Sequence, residues 1–350
     1  MGILFKPIWF DSLGAKSSCT LVKTPDISIL IDPGVAVMQP TFPASTAKKL
    51  HWKTMGKNAV IKASENVDVI VISHYHYDHY FPDEMRIYRN KLLLVKNPNE
   101  YINDSQRKRA ENFYSKICEC FGETKLENLL EERKQKKYSD PLAELPVAMH
   151  MDFGSYSERR KQLLQTGRGW FNRRVKKWNS SLWIPELEFK EIETRYSEGK
   201  KFSFGETKIR FTKPLFHGIE FSRVGWIFAT VVQHEGEKLI HSSDMNGPII
   251  EDYMEWIIKE NPDILILDGP MTYMMGYLLN KTNLQRAVNN ISRIVRESEV
   301  KLVIYDHHLP REARFRENTE EVWRVAKKLN KKLLTAAEFL GKTPKVLEKT

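Results

Sequence analysis

The sequence predicts an α/β sandwich, two β-rich layers flanked by helices, and three observations lead to that class. Short runs rich in β-branched and apolar residues at 27–31, 67–72, 263–267 and 302–305 have the composition of strands buried on both faces. Paired strand patterns joined by Gly-containing turns, at 201–211 and 226–244, read as hairpins. Each half of the chain passes from such hairpins to strand–loop–helix units, the layout of two layered sheets with helices outside them. At 350 residues, 41% hydrophobic and 29% charged, the chain has the bulk for one large domain and the composition of a globular protein rather than a disordered one.

In chain order, loose alternation over 17–23 suggests the edge of a sheet. A turn at Pro25-Asp26 follows, then a strand over 27–31 that ends at Asp32-Pro33-Gly34. A short helix is expected over 45–52, a buried strand over 67–72, one or two helical turns over 83–88 and a strand over 92–95. Ala110, Phe113, Tyr114, Ile117, Cys118 and Phe121 share one helical face, with Asp104 as a start signal and Gly122 as a stop. A further helix is expected to begin at Leu126, Leu129 and Leu130 and run into the lysines near 134–137. Beyond the hairpins, an amphipathic helix carries Leu284, Val288, Ile291 and Val295, and a last long helix spans 320–329 before a short strand at 333–335. The segment from about 99 to 198 is charged and mostly helical, and we take it as an insertion or lid within a single domain spanning 1–350.

The densest chemistry lies at Ser73-His-Tyr-His-Tyr-Asp-His-Tyr80, directly after the strand over 67–72. His74 and His76, two residues apart on extended chain, can reach one ion, and Asp78 and His79 can face a second as the backbone turns. Two adjacent divalent ions would hold a bridging water and bring its pKa to about neutrality. Zinc suits imidazole and carboxylate ligands, and manganese or iron can use the same set. A carboxylate at a strand end, as at Asp32, suits the orientation of a ligand, though an ordinary Asp-Pro-Gly turn explains it equally well.

Formal net charge is +10, which favours an anionic partner. Between 159 and 178 the residues Arg159, Arg160, Lys161, Arg168, Arg173, Arg174, Lys176 and Lys177 stand without an acidic residue, interleaved with Trp170, Phe171 and Trp178. Cations beside aromatics would suit a nucleic acid. The helical spacing of Phe171, Val175 and Trp178 equally suits a buried face with a solvated basic back, and that plainer reading carries more weight. No run approaches the roughly 20 apolar residues of a membrane span, and the N-terminus lacks the basic region of a signal peptide. Cys19, Cys118 and Cys120 cannot all pair, so they read as structural thiols in a reducing cytoplasm.

With these residues in view, the chain resembles the metallo-β-lactamase superfamily. The family motif His-x-His-x-Asp-His is matched by His74, His76, Asp78 and His79. An early-strand Asp is matched by Asp32, and later ligands by His217, Asp244 and His307 or His308. The resemblance covers almost the whole chain and looks most like a mainly archaeal family of predicted hydrolases of this fold. It implies a four-layer αβ/βα sandwich, with the 99–198 segment outside the common core. It also implies that His74, His76 and His217 hold one ion, that Asp78, His79 and the last His hold the other, and that Asp244 bridges them. The order of Asp306-His307-His308 favours His307 as the ligand. His308 is then a candidate proton donor, and Asp78 and Asp32 are further catalytic candidates. Arg311 would either hold an anionic substrate or sit on the surface at a helix start.

Two departures from the family pattern stand out. Tyr80-Phe81-Pro82 follows His79 where glycine is usual, and Asp268 after the 263–267 strand resembles the acidic strand end of transfer-RNA-processing members. Three functions follow. The first is a metal-dependent hydrolase acting through a bridging hydroxide on a phosphodiester of RNA or DNA. The second is a hydrolase of a small lactone, ester or amide, with Tyr75, Tyr77, Tyr80 and Phe81 as an apolar wall. The third is a non-catalytic scaffold that binds nucleic acid or protein.

Overall fold

A computed structural model describes residues 2–348. Two seven-stranded sheets form the frame. The first has the spatial order β1 (Leu4–Phe10), β2 (Ser18–Lys23), β3 (Ser28–Ile31), β4 (Val69–Ile72), β5 (Lys91–Val95), β7 (Ile192–Tyr196) and β6 (Glu188–Phe189). The second runs β16 (Lys332–Leu334), β15 (Leu302–Asp306), β14 (Ile264–Asp268), β13 (Glu237–His241), β12 (Thr230–His234), β9 (Thr207–Phe211) and β8 (Lys201–Phe204). A two-stranded ribbon, β10 (Leu215–Phe216) with β11 (Trp226–Ile227), stands apart from both.

Strand alternation explains the layers. Val69 and Val71 of β4 join Ile29, Ile31 and Leu94 against Val232, Leu239, Ile266 and Ile304, so these side chains form the core between the sheets. Ile70 and Ile72, one residue out of phase, turn to the other side and pack in the core that includes the helices. The helices are α1 (Thr46–Ser64), α2 (Asp104–Phe121), α3 (Pro146–His150), α4 (Ser157–Ser180), α5 (Glu251–Glu260), α6 (Lys281–Glu297), α7 (Phe315–Asn318), α8 (Glu320–Lys328) and α9 (Ala336–Phe339). Together they complete the four-layer αβ/βα sandwich of the metallo-β-lactamase fold. No helix among the described residues is long and apolar enough to cross a membrane.

Four expectations change. The helix expected over 45–52 extends to Ser64, because its buried positions are Lys49, Gly56, Val60 and Ser64, which carry little apolar periodicity. No helix runs through 129–137: after a 3₁₀ turn at Leu126–Asn128, Glu131 pairs with Trp183, and Arg133 and Lys136 reach the Glu100 carboxylate. Tertiary ties hold that stretch in place of helical hydrogen bonds. The helical character of the inserted segment ends at Ser180, since β7 pairs in parallel with β5 from Lys91↔Ile192 to Val95↔Tyr196 and so belongs to the first sheet. The first strand of the hairpin expected over 226–244 is split, with β11 pairing to β10 and β12 to β9 and β13. Cys118 is buried as expected of a core thiol, whereas Cys120 is exposed.

Helix α4 is fastened by buried charge. Arg160 Nη2 donates to Glu220 Oε1 at 2.6 Å, and Arg286 reaches Glu220 at 2.8 Å and Glu251 through two bonds of 2.9 and 2.8 Å. The Phe153 ring lies 4.8 Å from both guanidinium carbons. Burial by itself would raise the Glu220 carboxyl, but Arg286 and Arg160 outweigh it and hold it below its ordinary value. A depressed folded-state value contributes stability that is present above the unfolded value of about 4.3 and is lost as pH falls through the folded one. Glu220→Gln is therefore expected to lower stability at pH 7 and to flatten the loss between about pH 5 and pH 2, read by urea denaturation across pH. An acid limb as steep as that of the parent would exclude this role for Glu220.

Candidate metal centre

The loops that follow β3, β4, β13, β14 and β15 gather at one edge of the sandwich, because these strands run parallel within their sheets. After β4 the chain turns tightly, with His79 N–H donating to His76 O at 2.9 Å. Asp32, at the end of β3, braces the turn: its two carboxylate oxygens accept from Ser73 N–H and Ser73 Oγ, both at 2.8 Å, and Oδ2 lies 2.9 Å from His79 Nδ1. That bond turns the Nε2 of His79 toward the opposite sheet. A Cβ on Gly34 would lie 2.2 Å from Tyr80 N, so the close backbone approach usually given by a glycine after the last His is met here by a glycine across the loop.

Three overlapping groups of ligand atoms result, each with its atoms within 4.8 Å of one another, the third being Asp244, His307 and His308. His74, His76, His217 and Asp244 form the first, and Asp78, His79 and His307 the second. Asp244 stands between them: its Oδ2 is 3.0 Å from His217 Nε2 and 3.4 Å from His74 Nε2, while its Oδ1 is 3.2 Å from both His79 Nε2 and His307 Nε2. The Nε2 atoms of His79, His217 and His307 and the Oδ1 of Asp244 are buried without a hydrogen-bond partner. Buried polar atoms rarely remain so, and imidazoles converging with carboxylates are the donor set that a divalent ion takes. The residues present fit one ion in each of the first two groups, with His308 beside the second through Asp244 and His307.

The electrostatics agree. Burial would raise the carboxyls of Asp11, Asp32, Asp78 and Asp244, but Arg311 and then His307 at Asp11, and chiefly neighbouring imidazoles at the other three, outweigh it and keep all of them below their ordinary value. Burial lowers His79, yet Asp244 and Asp32 overcome this and push it up to about 10. The cluster of negative charge therefore calls for compensating cations, and ligand imidazoles must release protons as a metal binds. Asp32, Ser243, His307 and His308 all have left-handed backbone (φ 52°, 53°, 41° and 50°), a strain of about 1–3 kcal/mol each that surrounding contacts must hold in place.

His307 and His308 part company at this point. His307 Nε2 faces Asp244 and lies 4.0 Å from Asp78, with its Nδ1 3.1 Å from Asp11 Oδ1. His308 Nδ1 lies instead 2.9 Å from Asp268 Oδ1, and its backbone N–H donates to Asp11 Oδ2 at 2.8 Å. Arg311 neither projects to solvent nor stands free for substrate: it is buried, ion-paired with Asp11, donates to Tyr273 OH at 3.0 Å and places Nη2 3.7 Å from Asp78. Asp11, Asn246 and Gln106 were not legible as site residues. Asp11 holds His307, His308 and Arg311; Asn246 Nδ2 lies 3.3 Å from His217 Nδ1; and Gln106 Nε2 lies 3.4 Å from His76 Nε2. No local motif marks any of them, and Gln106 belongs to the interposed segment.

The basic strip differs from a nucleic-acid face of cations and stacking aromatics. Phe171 and Trp178 are buried, Trp178 Nε1 donates to Ile102 O, and Trp170 stacks on Trp226 at 5.2 Å, so none of the rings projects freely for a base. Arg160, Arg168, Arg174 and Lys177 are ion-paired with Glu220, Asp140 and Asp104, and Arg159 donates to Gln162. Lys161, Arg173 and Lys176 take no part in these pairs. Tyr75, Tyr80 and Phe81 are buried in the core and cannot form the apolar wall expected of them; of that set only Tyr77 is exposed. An apolar wall does exist elsewhere. A cleft of about 340 Å³ opens beside His217 and Asn246, lined by Leu163 and Trp170 of α4 and by Phe221, Met271 and Leu279.

Metal analysis tests the arrangement. Protein stripped by chelator and reloaded with zinc is expected to hold two ions per chain by elemental analysis. His217→Ala and His79→Ala should each lose one, and Asp32→Asn should weaken uptake by about 10–100-fold in calorimetry. A single ion that survives both histidine substitutions would contradict the two-group reading.

Residues 14–81, which contain the dense His/Asp motif, match the family model described as metallo-beta-lactamase superfamily. Among solved structures, the metallo-beta-lactamase fold protein YhfI from Bacillus subtilis is 12% identical with a TM-score of 0.45, covering 96% of this chain and 97% of that one. Similar sequences span nearly the full length. A UPF0282 protein of Methanopyrus kandleri is 28% identical over 98% of this chain and 95% of its own length, and one from Methanocaldococcus jannaschii is 30% identical over 98% and 93%. A third, from Metallosphaera sedula, is 30% identical over 98% of this chain and 89% of its own length. The chain belongs to the UPF0282 family, within the metallo-β-lactamase superfamily.

Proposed function

We propose that the protein is a metal-dependent hydrolase with a dinuclear centre, zinc being the simplest occupant, held by His74, His76 and His217 on one side, by Asp78, His79 and His307 on the other, and by Asp244 between them. The observation that carries this reading is the division of the Asp244 carboxylate, with one oxygen toward each histidine group. Bound divalent ions supply an activated water nucleophile and electrophilic stabilisation of the substrate's oxygens.

The chain's own residues take the remaining roles. Asp78, 15% exposed, is the carboxylate of the second group, placed to accept a proton from attacking water, and His79 and His307, helped by Arg311, keep it charged. Burial lowers His308 and pushes the Asp268 carboxyl up, so a protonated Asp268 that donates to Nδ1 leaves the neutral His308 ring with its proton on Nε2, to be given to the leaving oxygen. Asp32 positions His79 and does not itself meet the substrate.

A phosphodiester is the proposed substrate class. The chain's net charge of +10 suits an anion. RNA or DNA is the polymeric form of such a substrate, with Lys161, Arg173 and Lys176 as the unpaired cations of α4 available to it. A small ester, lactone or amide is a second reading, and the apolar cleft beside His217 favours it.

Zinc-loaded protein is expected to hydrolyse bis(p-nitrophenyl) phosphate. His76→Ala should abolish turnover, and His308→Ala should lower kcat by about 10²–10⁴-fold with two metals still bound. Absence of turnover at full metal loading, with cleavage of neutral esters, would move the assignment to the second reading.

A further inference from the structure

A second cavity, of about 720 Å³, is lined in part by the β10–β11 ribbon and by none of the metal-ligand candidates. Its walls come from four parts of the chain: Tyr101 and Trp183 of the interposed segment, Tyr196 at the end of β7, Phe216 and Trp226 of the ribbon, and Trp256 of α5. This volume is in the range of small-molecule sites, which sit where elements meet and are lined mainly by apolar and aromatic groups.

The charged residues of the cavity are already engaged. Glu198 is ion-paired with buried Lys96 and accepts two contacts from Asn97 N–H at 3.1 and 3.0 Å. Lys136 pairs with Glu100 at 2.9 Å and Lys213 with Glu144 at 3.0 Å, both lysines being more than half exposed at the rim. Asp252 accepts from the N–H groups of Val147 and Ala148. What the interior offers a ligand is therefore the partly exposed rings of Tyr101, Trp183 and Trp256, backed by the buried Tyr196, Phe216 and Trp226, with weak, openable ion pairs around the mouth.

We infer that this cavity is a binding site for a planar heteroaromatic ring of nucleobase size, stacked on its indole and phenol walls and with polar ring edges turned to the rim. Stacking on aromatic side chains is worth about 1–3 kcal/mol per base and tolerates many ring types, which aliphatic ligands cannot exploit. The site is also joined to the metal edge. Trp226 stacks on Trp170 at 5.2 Å with 8° between planes, and Trp170 lines the cleft that contains His217. Phe216, in the cavity wall, immediately precedes His217. A ring bound here rests against the wall that carries a metal ligand, yet its binding does not depend on the hydrolase reading.

The test titrates adenosine and guanosine into the metal-loaded full chain and follows intrinsic tryptophan fluorescence, with 1-anilinonaphthalene-8-sulfonate as an apolar comparison probe. Saturable quenching by a nucleoside is expected. Ser139→Trp, placed on an exposed part of the rim, should weaken it at least tenfold, as should Trp183→Leu, while His76→Ala leaves it unchanged. Should Trp183→Leu fail to fold, the Ser139 variant decides the matter alone. The inference is overturned by absence of saturable nucleoside binding, by binding that the Ser139 variant leaves intact, by binding lost in His76→Ala, or by sulfonate-dye binding without nucleoside binding.

Discussion

The rest of the site depends on one buried carboxylate. Asp244 comes from the second sheet, yet two of the four imidazoles nearest its oxygens, His74 and His79, come from the first, so it is the point at which the two halves of the sandwich share one electrostatic problem. A lone buried carboxylate would shed its charge by taking up a proton. Here the surrounding imidazoles keep it charged, and a cation on each side would give the unpartnered candidate ligand atoms a partner. The left-handed backbone at Ser243, Asp32, His307 and His308 is tolerated because each is held by hydrogen bonds from elsewhere: Ser243 to Ser73, Asp32 to Ser73 and His79, His307 and His308 to Asp11.

The supporting shell is as specific as the ligands. Asp11 connects His307, His308 and Arg311 from a position near the start of the chain, and Asp32, Asn246, Gln106 and Asp268 each meet one histidine of the site. Such partners fix which ring nitrogen faces the centre. They also bind the interposed segment to the chemistry, since Gln106 is on α2 and Leu163 and Trp170 on α4 wall the cleft beside His217. The segment is thus a wall of the site on one side and, through Tyr101 and Trp183, of the aromatic cavity on the other.

How much of this was legible in the sequence varies with how local the signal is. The His74–His79 cluster could be read because its candidate ligands are adjacent in the chain and follow a buried strand, and the strands themselves announce their faces through period-two patterning. The 129–137 stretch misled because leucine spacing alone cannot report that Glu100 and Trp183 hold it out of helix. Helix α1 was cut short because its buried face is Lys49, Gly56, Val60 and Ser64. The basic strip illustrates the same limit: helical spacing allowed either buried or exposed aromatics, and contact with Ile102 and Trp226 decided for burial.

By itself the sequence determined the α/β layering and the superfamily and named the candidate ligands, since these rest on short-range periodicity and on a motif whose members stand a few residues apart. Only the tertiary structure decided that Asp244 divides its oxygens between two histidine groups, that His307 and His308 face different carboxylates, that Asp11 underlies both, and that two cavities share the Trp170–Trp226 wall. The reason is physical. Those relations join residues up to about three hundred positions apart, such as Asp11 with His308, and the packing of one sheet on the other, with no local preference to record it, brings them within hydrogen-bond distance.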